Sequence, residues 1–131
     1  KFSIFDGSNF SGANLQNADL TLSRFNYANF SNSDLTSANL SGSNLCRSIL
    51  IKSNLSNANF TNADLQDANL QEANLANAYF RNANLYCANL SDAIIRNADF
   101  SNANLSVADM SNLDFTLASN TDGMKYDPDE A

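Results

Sequence analysis

Cut into fives, residues 61–75 read TNADL QDANL QEANL, and the apolar residue closing each unit recurs at a spacing that suits neither regular secondary structure. A helix turns about 100° per residue, so five residues precess by about 140° and the apolar groups spiral round the surface. A strand alternates faces, so an odd spacing sends successive leucines to opposite sides. The spacing nevertheless holds from Phe5 to Phe115, with Leu, Phe, Ile or Met at every multiple of five. Two places earlier stands Ala or Ser in every unit but the last, where Leu113 intrudes. One place earlier stands Asn or Asp, except at Ile4, Arg24, Ile49, Tyr79 and Ile94. An unbroken repeat of this kind fixes the architecture before any local propensity is consulted.

A large apolar residue and a tiny one recurring together predict a coiling chain that turns a corner once per unit. The large residue fills the interior of one side, and the small one points inward beside the corner. A type II turn needs positive φ at its third residue, which Gly, Asn and Asp tolerate best. The second place after the centre holds Gly7, Gly12, Asn17, Asn32, Gly42, Asn57, Asn62, Asp67, Asn77, Asn82, Asp92, Asn97, Asn102, Asn112 and Asp122. Leu22, Tyr27, Arg47, Lys52, Cys87, Val107 and Leu117 depart from this preference, and the expectation there is a different turn. Phe5 with Phe25, Phe10 with Phe30, and Phe60 with Phe80 and Phe100 recur at twenty. Since rings pack best on rings, four sides of five residues make one coil.

The pattern A-[N/D]-[L/F]-x-x over about residues 3–118 resembles the pentapeptide-repeat family. The resemblance implies an all-β fold, a right-handed quadrilateral parallel β-helix of about six coils. At ~4.8 Å between neighbouring strands the rod is roughly 28 Å long. The expected organisation is a β-helix over 1–118 and a C-terminal cap with an acidic tail over 119–131. Open solenoid ends expose core and unpaired backbone. Phe2 and Ile4 are extra apolar residues at the front. At the back, Asn120 falls on a core slot, and Leu113, Leu117, Met124 and Tyr126 offer cap material before the tail Asp127-Pro128-Asp129-Glu130. The alternative to a cap is an end-to-end homodimer, so monomer and dimer are both open.

Charge and composition narrow the function. Lys and Arg total 7 against 14 Asp and Glu, a formal net charge of -7, with a sequence pI near 4.1. That balance argues against direct binding to nucleic-acid phosphates or an anionic membrane, and no apolar run is long enough to span a bilayer. There is no His, and Cys46 and Cys87 fit no metal or redox spacing, which removes most routes to a zinc site or a histidine-based catalytic centre. No cofactor, metal or catalytic residues are expected. The cysteines lie two coils apart near one corner, close to 10 Å by strand spacing, too far for a disulfide, so both thiols are expected free. Register twenty also sets Arg47 over Asp67, and Lys52 over Glu72 with Asp92 one coil further, as cross-coil ion pairs.

Tyr27, Ile49, Ile51, Tyr86, Cys87 and Val107 occupy places the repeat leaves outward. By their position in the coil they gather around one face and its corners, and exposed apolar groups mixed with Tyr and Arg suit a partner site. The function expected is therefore a non-enzymatic structural or protein-interaction module with an unidentified protein partner. The alternative comes from the resemblance: some family members mimic duplex DNA, occupy the DNA saddle of a topoisomerase such as gyrase and protect it from quinolones. Against it, Asp19, Asp34, Asp64, Asp99 and Asp109 are spread over all four faces. Ice binding is disfavoured because Arg81 interrupts the column Thr21, Ser41, Thr61, Ser101, Thr121. No signal peptide is visible. A chain beginning at Lys1 fits a processed product, which favours a periplasmic or thylakoid-lumenal compartment over the cytoplasm.

Overall fold

The structure, a computed structural model, describes residues 2–127. It contains no long strand. Instead, single parallel bridges climb the molecule at a separation of twenty, as in the column Ile4, Arg24, Asn44, Asp64, Asn84, Asn104. Three further columns start at Asn9, Asn14 and Asp19, so each twenty-residue turn of chain has four bridged sides, as the phenylalanine spacing predicts.

The repeat explains itself once the backbone donors are followed through one unit. Ala63 N–H closes the preceding turn on Phe60 O at 3.0 Å, Asp64 N–H donates down to Ser43 O at 2.9 Å, and Leu65 N–H donates up to Asn84 O at 2.7 Å. Asp67 N–H also donates up, to Tyr86 O at 2.9 Å. The remaining donor, Gln66 N–H, has no backbone acceptor and is taken by the Asp64 side chain, Oδ1, at 3.1 Å. This last bond is why Asn or Asp precedes most centres: every backbone N–H of such a unit is satisfied. Asn29, Asn39, Asn59 and Asn89 serve the N–H two places on in the same way.

The corners correct one expectation. Leu22, Tyr27, Arg47, Lys52, Cys87 and Val107 do not use another turn; all have φ between 56° and 62°, the same left-handed conformation as the Asn and Gly corners. Ser37 and Glu72 share it at 59° and 58°. The neighbouring coils impose it, since each corner N–H must reach the coil above, as Tyr27 N–H reaches Cys46 O at 3.0 Å. Stacking overrides residue preference. Only Leu117 departs, in a 3-10 turn Phe115–Leu117 begun by Asp114, whose side chain accepts from Thr116 N–H.

From the second coil on, the centre residues are sealed, Phe25, Phe30, Leu35 and Leu40 being fully buried. Each contributes on the order of 1.5–3 kcal/mol. Rings stack on rings: Phe5 on Phe25 at 5.2 Å, Phe10 on Phe30 at 5.1 Å, Phe60 on Phe80 at 4.9 Å and Phe80 on Phe100 at 5.2 Å between centroids, all near parallel.

At the C-terminal end the register slips by one. Asp99 bridges Asn120 and Asn104 bridges Lys125, a separation of twenty-one. Ser119 N–H donates to Ala98 O while Asn120 O accepts from Phe100 N–H, so two residues share the work that one does elsewhere, as in a β-bulge. Asn120 therefore occupies the outward place beside a centre and not the core slot expected, and the positive-φ corner moves from Asp122 to Gly123, at 72°. Leu113, Phe115, Ala118 and Met124 pack against the last core layer. At the other end, Phe2 and Ile4 do not cover the core, being 67% and 59% exposed. Of the acidic tail, Pro128, Asp129 and Glu130 lie outside the described residues.

Candidate interaction surface

Tyr27, Cys87 and Val107 stand on one edge of the rod, each at a left-handed corner with φ 62°, 60° and 60°. Tyr86 shares the turn of Cys87 at this edge, Ile49 lies on the face that follows it in the chain, and Ile51 opens the turn that closes that face. The six residues thus gather around one face and its two corners. Tyr27 is 60% exposed and Val107 47%, whereas Ile49 and Tyr86 are 36% and 39% exposed and Ile51 and Cys87 are half-buried.

The middle of this edge is charged. Arg47 Nη1 donates to Tyr27 Oη at 3.0 Å, its guanidinium carbon lies 5.7 Å from the Tyr27 ring centre, and its Nε is 3.8 Å from Asp67 Oδ2. The ladder therefore reads Tyr27, Arg47, Asp67, Cys87, Val107 from coil to coil, apolar at both ends. On the next edge Lys52 Nζ reaches Glu72 Oε2 at 3.9 Å. Both ion pairs were expected, and being exposed each is worth well under about 1 kcal/mol. Cys46 and Cys87 are free thiols; burial pushes the Cys46 thiol up to about 11, with the Asp64 carboxylate adding to it.

Two features were not legible beforehand. On another face, Arg81 lies over the Tyr79 ring at 4.9 Å and places Nε 2.5 Å from Asp99 Oδ2. Burial raises the Asp99 carboxyl, but the Ser101 N–H and Arg81 outweigh it and leave it below the usual carboxylate range. At the C-terminal end, Met124 and Tyr126 line an open hollow of about 370 Å³ with Met110, Phe115, Thr116 and Thr121. Its lining residues come from both sides of the register slip.

Among the described residues no three Cys, Asp or Glu side chains converge as a metal site would require, and no helix is long and apolar enough to cross a membrane. A family model described as pentapeptide repeats matches the segments 3–42, 28–67, 38–75, 63–102 and 83–119. The chain belongs to the pentapeptide-repeat family. Its members are right-handed quadrilateral β-helices, and they serve in general as structural or interaction modules. Comparison with curated protein sequences finds no match. Among solved pentapeptide-repeat structures, the chain is similar to a trypsin-treated form of QnrB1, a plasmid-mediated fluoroquinolone resistance protein, with TM-score 0.77 and 19% identity over 95% of this chain and 80% of that one. It is similar also to HetL, involved in heterocyst differentiation regulation in Nostoc sp. strain PCC 7120, with TM-score 0.52 and 25% identity over 98% and 80%. Rfr23 from the cyanobacterium Cyanothece 51142 gives TM-score 0.53 and 28% identity over 97% and 88%.

Proposed function

We propose that this pentapeptide-repeat chain is a non-enzymatic interaction module of about six coils that docks a protein partner along the face of Ile49 and the corners flanking it, with Tyr27, Tyr86, Cys87 and Val107 on one and Ile51 on the other. The observation that carries the reading is that Tyr27, Val107 and Ile49 weaken the fold locally and still stand outward. A β-branched or aromatic residue held in the left-handed region costs about 1–2 kcal/mol. Ile49 replaces the Asn that would cap the N–H two places on, so Ile51 N–H has no acceptor among the described residues. A capped neighbour such as Ser31 N–H, held by Asn29 Oδ1 at 2.9 Å, marks what is forgone.

Mimicry of duplex DNA gains no support from the likeness to QnrB1, which at 19% identity is a likeness of fold. The acidic side chains remain distributed over all four faces. As part of the same proposal the module works in a periplasmic or thylakoid-lumenal compartment, a reading to which the cyanobacterial origin of two similar structures lends support.

The test is affinity capture from the source organism with the wild-type chain, Tyr86→Asp and Ile49→Asn. The reading expects one protein retained by wild type and lost by both variants while their unfolding temperatures stay at or above the wild-type value. A bound set identical for all three proteins refutes the surface, and gyrase inhibition by micromolar protein favours the DNA-mimic reading instead.

A further inference from the structure

The Asn or Asp before a centre holds the N–H two places on, and where another residue stands there that N–H loses its acceptor. Between Asn9 and Thr116 three such groups have no acceptor among the described residues, the N–H groups of Ile51, Arg81 and Arg96, which follow Ile49, Tyr79 and Ile94. A fourth unit, that of Arg24, shows how the loss is repaired. Asp6 stands one coil below Asn26 and turns its carboxylate into the vacant place: Oδ1 accepts from Asn26 N–H at 3.0 Å and Oδ2 accepts from the Arg24 guanidinium. One oxygen thus takes the backbone donor and the other takes the cation, a pair of charge-assisted bonds.

Arg96 offers the same two donors, and neither neighbouring coil fills them. Directly below it stands Ala76, with only a methyl group. Directly above stands Thr116, whose N–H and hydroxyl both donate to Asp114 Oδ1, at 3.0 and 2.5 Å. The Arg96 guanidinium has no ion-pair partner among the described residues, whereas Arg81 is engaged by Asp99, and Lys52, beside Ile51, by Glu72. The ladder is open at the same place. Ile94 bridges Asn74 beneath it and no described residue above it. Ile95 N–H has no acceptor among the described residues, although in the unit below Leu75 N–H reaches Ile94 O at 2.7 Å. Ile94 is 50% exposed, and Leu117, whose carbonyl accepts from Asn97 N–H at 2.8 Å, is 54% exposed.

We propose that the Ile94–Arg96 unit binds the side-chain carboxylate of an acidic residue in a partner polypeptide, one oxygen accepting from Arg96 N–H and the other from the Arg96 guanidinium, as Asp6 does for Asn26 and Arg24. The site lies on a different face from Ile49 and does not rest on the docking surface described above. A carboxylate matches it because its single charge balances the single cation and its two oxygens lie in one plane with the guanidinium fork. A phosphate dianion leaves one charge unbalanced beside Asp114, and an amide offers one acceptor and no charge. Inside the molecule Asp6 and the Asn caps all reach such an N–H on a short side chain, so the occupant is a side chain and not a chain terminus. Ile94 and Leu117 give apolar ground to the residues on either side of it.

Amide-detected NMR titration of the 131-residue chain at neutral pH tests this with two blocked peptides at millimolar concentration, acetyl-Leu-Asp-Leu-amide and acetyl-Leu-Asn-Leu-amide. The Asp peptide should move the Arg96 backbone amide proton downfield and shift Arg96 Nε, while the amides of Ser56 and Ala76, held by Asn54 and Asn74, stay in place. The Asn peptide should do neither. Ile94→Asn supplies the missing acceptor from within the chain, as Asn74 does for Ala76 N–H at 3.0 Å. It should weaken the Asp peptide about tenfold or more, the worth of one charge-assisted hydrogen bond, without lowering the unfolding temperature. Ile94→Ala leaves the N–H open and should keep the response, and Arg96→Gln should lose it. No shift at Arg96 overturns the proposal, as does an equal response to the two peptides. A response that survives Ile94→Asn is charge attraction alone and overturns it as well. Tighter binding of acetyl-Leu-Leu, whose one carboxylate is its C-terminus, assigns the site to chain ends and overturns the side-chain occupant.

Discussion

Exchanging the residues at two corners tests whether stacking forces every corner into the left-handed conformation. Val107 and Asn77 occupy equivalent places with φ of 60° and 61°, and both are exposed, so burial differs little between them. Asn tolerates this region, whereas a β-branched residue pays steric contacts of about 1–2 kcal/mol there. Val107→Asn should therefore stabilise the protein by about 1 kcal/mol and Asn77→Val destabilise it by about the same. For a chain of this size 1 kcal/mol corresponds to roughly 3–5 °C in unfolding temperature. Neither change touches the backbone bonds, since Asn77 N–H still reaches Arg96 O, at 2.9 Å. Calorimetry or far-UV circular dichroism on the two single variants reads the effect. Opposite shifts of similar size support the account; a neutral Asn77→Val refutes it, because a corner indifferent to β-branching is not at positive φ.

Further outcomes follow from individual side chains. A Cβ on Gly42 would come within 2.6 Å of Leu22 Cδ2 at φ +69°, whereas one on Gly12 meets nothing within 4 Å; Gly42→Ala should lower the unfolding temperature more than Gly12→Ala, and Leu22→Ala should recover the difference. Ser33, Ser43 and Ser53 hydroxyls donate to carbonyls at 2.6 Å, but the buried Ser48 hydroxyl has no partner among the described residues. Ser48→Ala should therefore stabilise by about 1 kcal/mol and Ser53→Ala should not, by denaturant titration. The Thr36 hydroxyl and N–H hold the Asp34 carboxyl below its usual range, and the Ser111 hydroxyl and N–H do the same for Asp109. A carboxyl depressed in the folded state stabilises above its unfolded value of about 3.8 and loses that contribution as pH falls through the folded value. Unfolding temperature should thus hold from neutrality to about pH 4 and drop below it, with a smaller drop in Asp34→Asn.

The sequence displays the layers well because each central Leu or Phe has one job, and the rings twenty apart announce the height of a coil. The ion pairs of Arg47 and Lys52 and the free thiols follow from that one number. What it hides is collective. Tyr27 and Val107 look unfit for a left-handed corner until the coils above and below are present to impose it. The Asn before each centre is conspicuous, but its purpose emerges only when the unit's fifth N–H is found without a backbone acceptor. The slip of register at Ser119 and Asn120 leaves a faint mark, Gly123 standing one place past the corner expected at Asp122. Of the candidate surface, the outward places follow from the repeat, whereas the simultaneous contact of Arg47 with Tyr27 and Asp67 depends on side-chain geometry that spacing does not carry.

The central claim is that backbone groups twenty residues apart are vertical neighbours, and scalar couplings across hydrogen bonds measure this directly in a 14.2 kDa protein. The account predicts couplings from Leu65 N to the Asn84 carbonyl carbon and from Asn84 N to that of Ala63, and, past the slip, from Leu105 N to Lys125 and from Lys125 N to Ala103. Couplings confined to partners four residues apart, or to cross-chain partners at some other constant separation, contradict it.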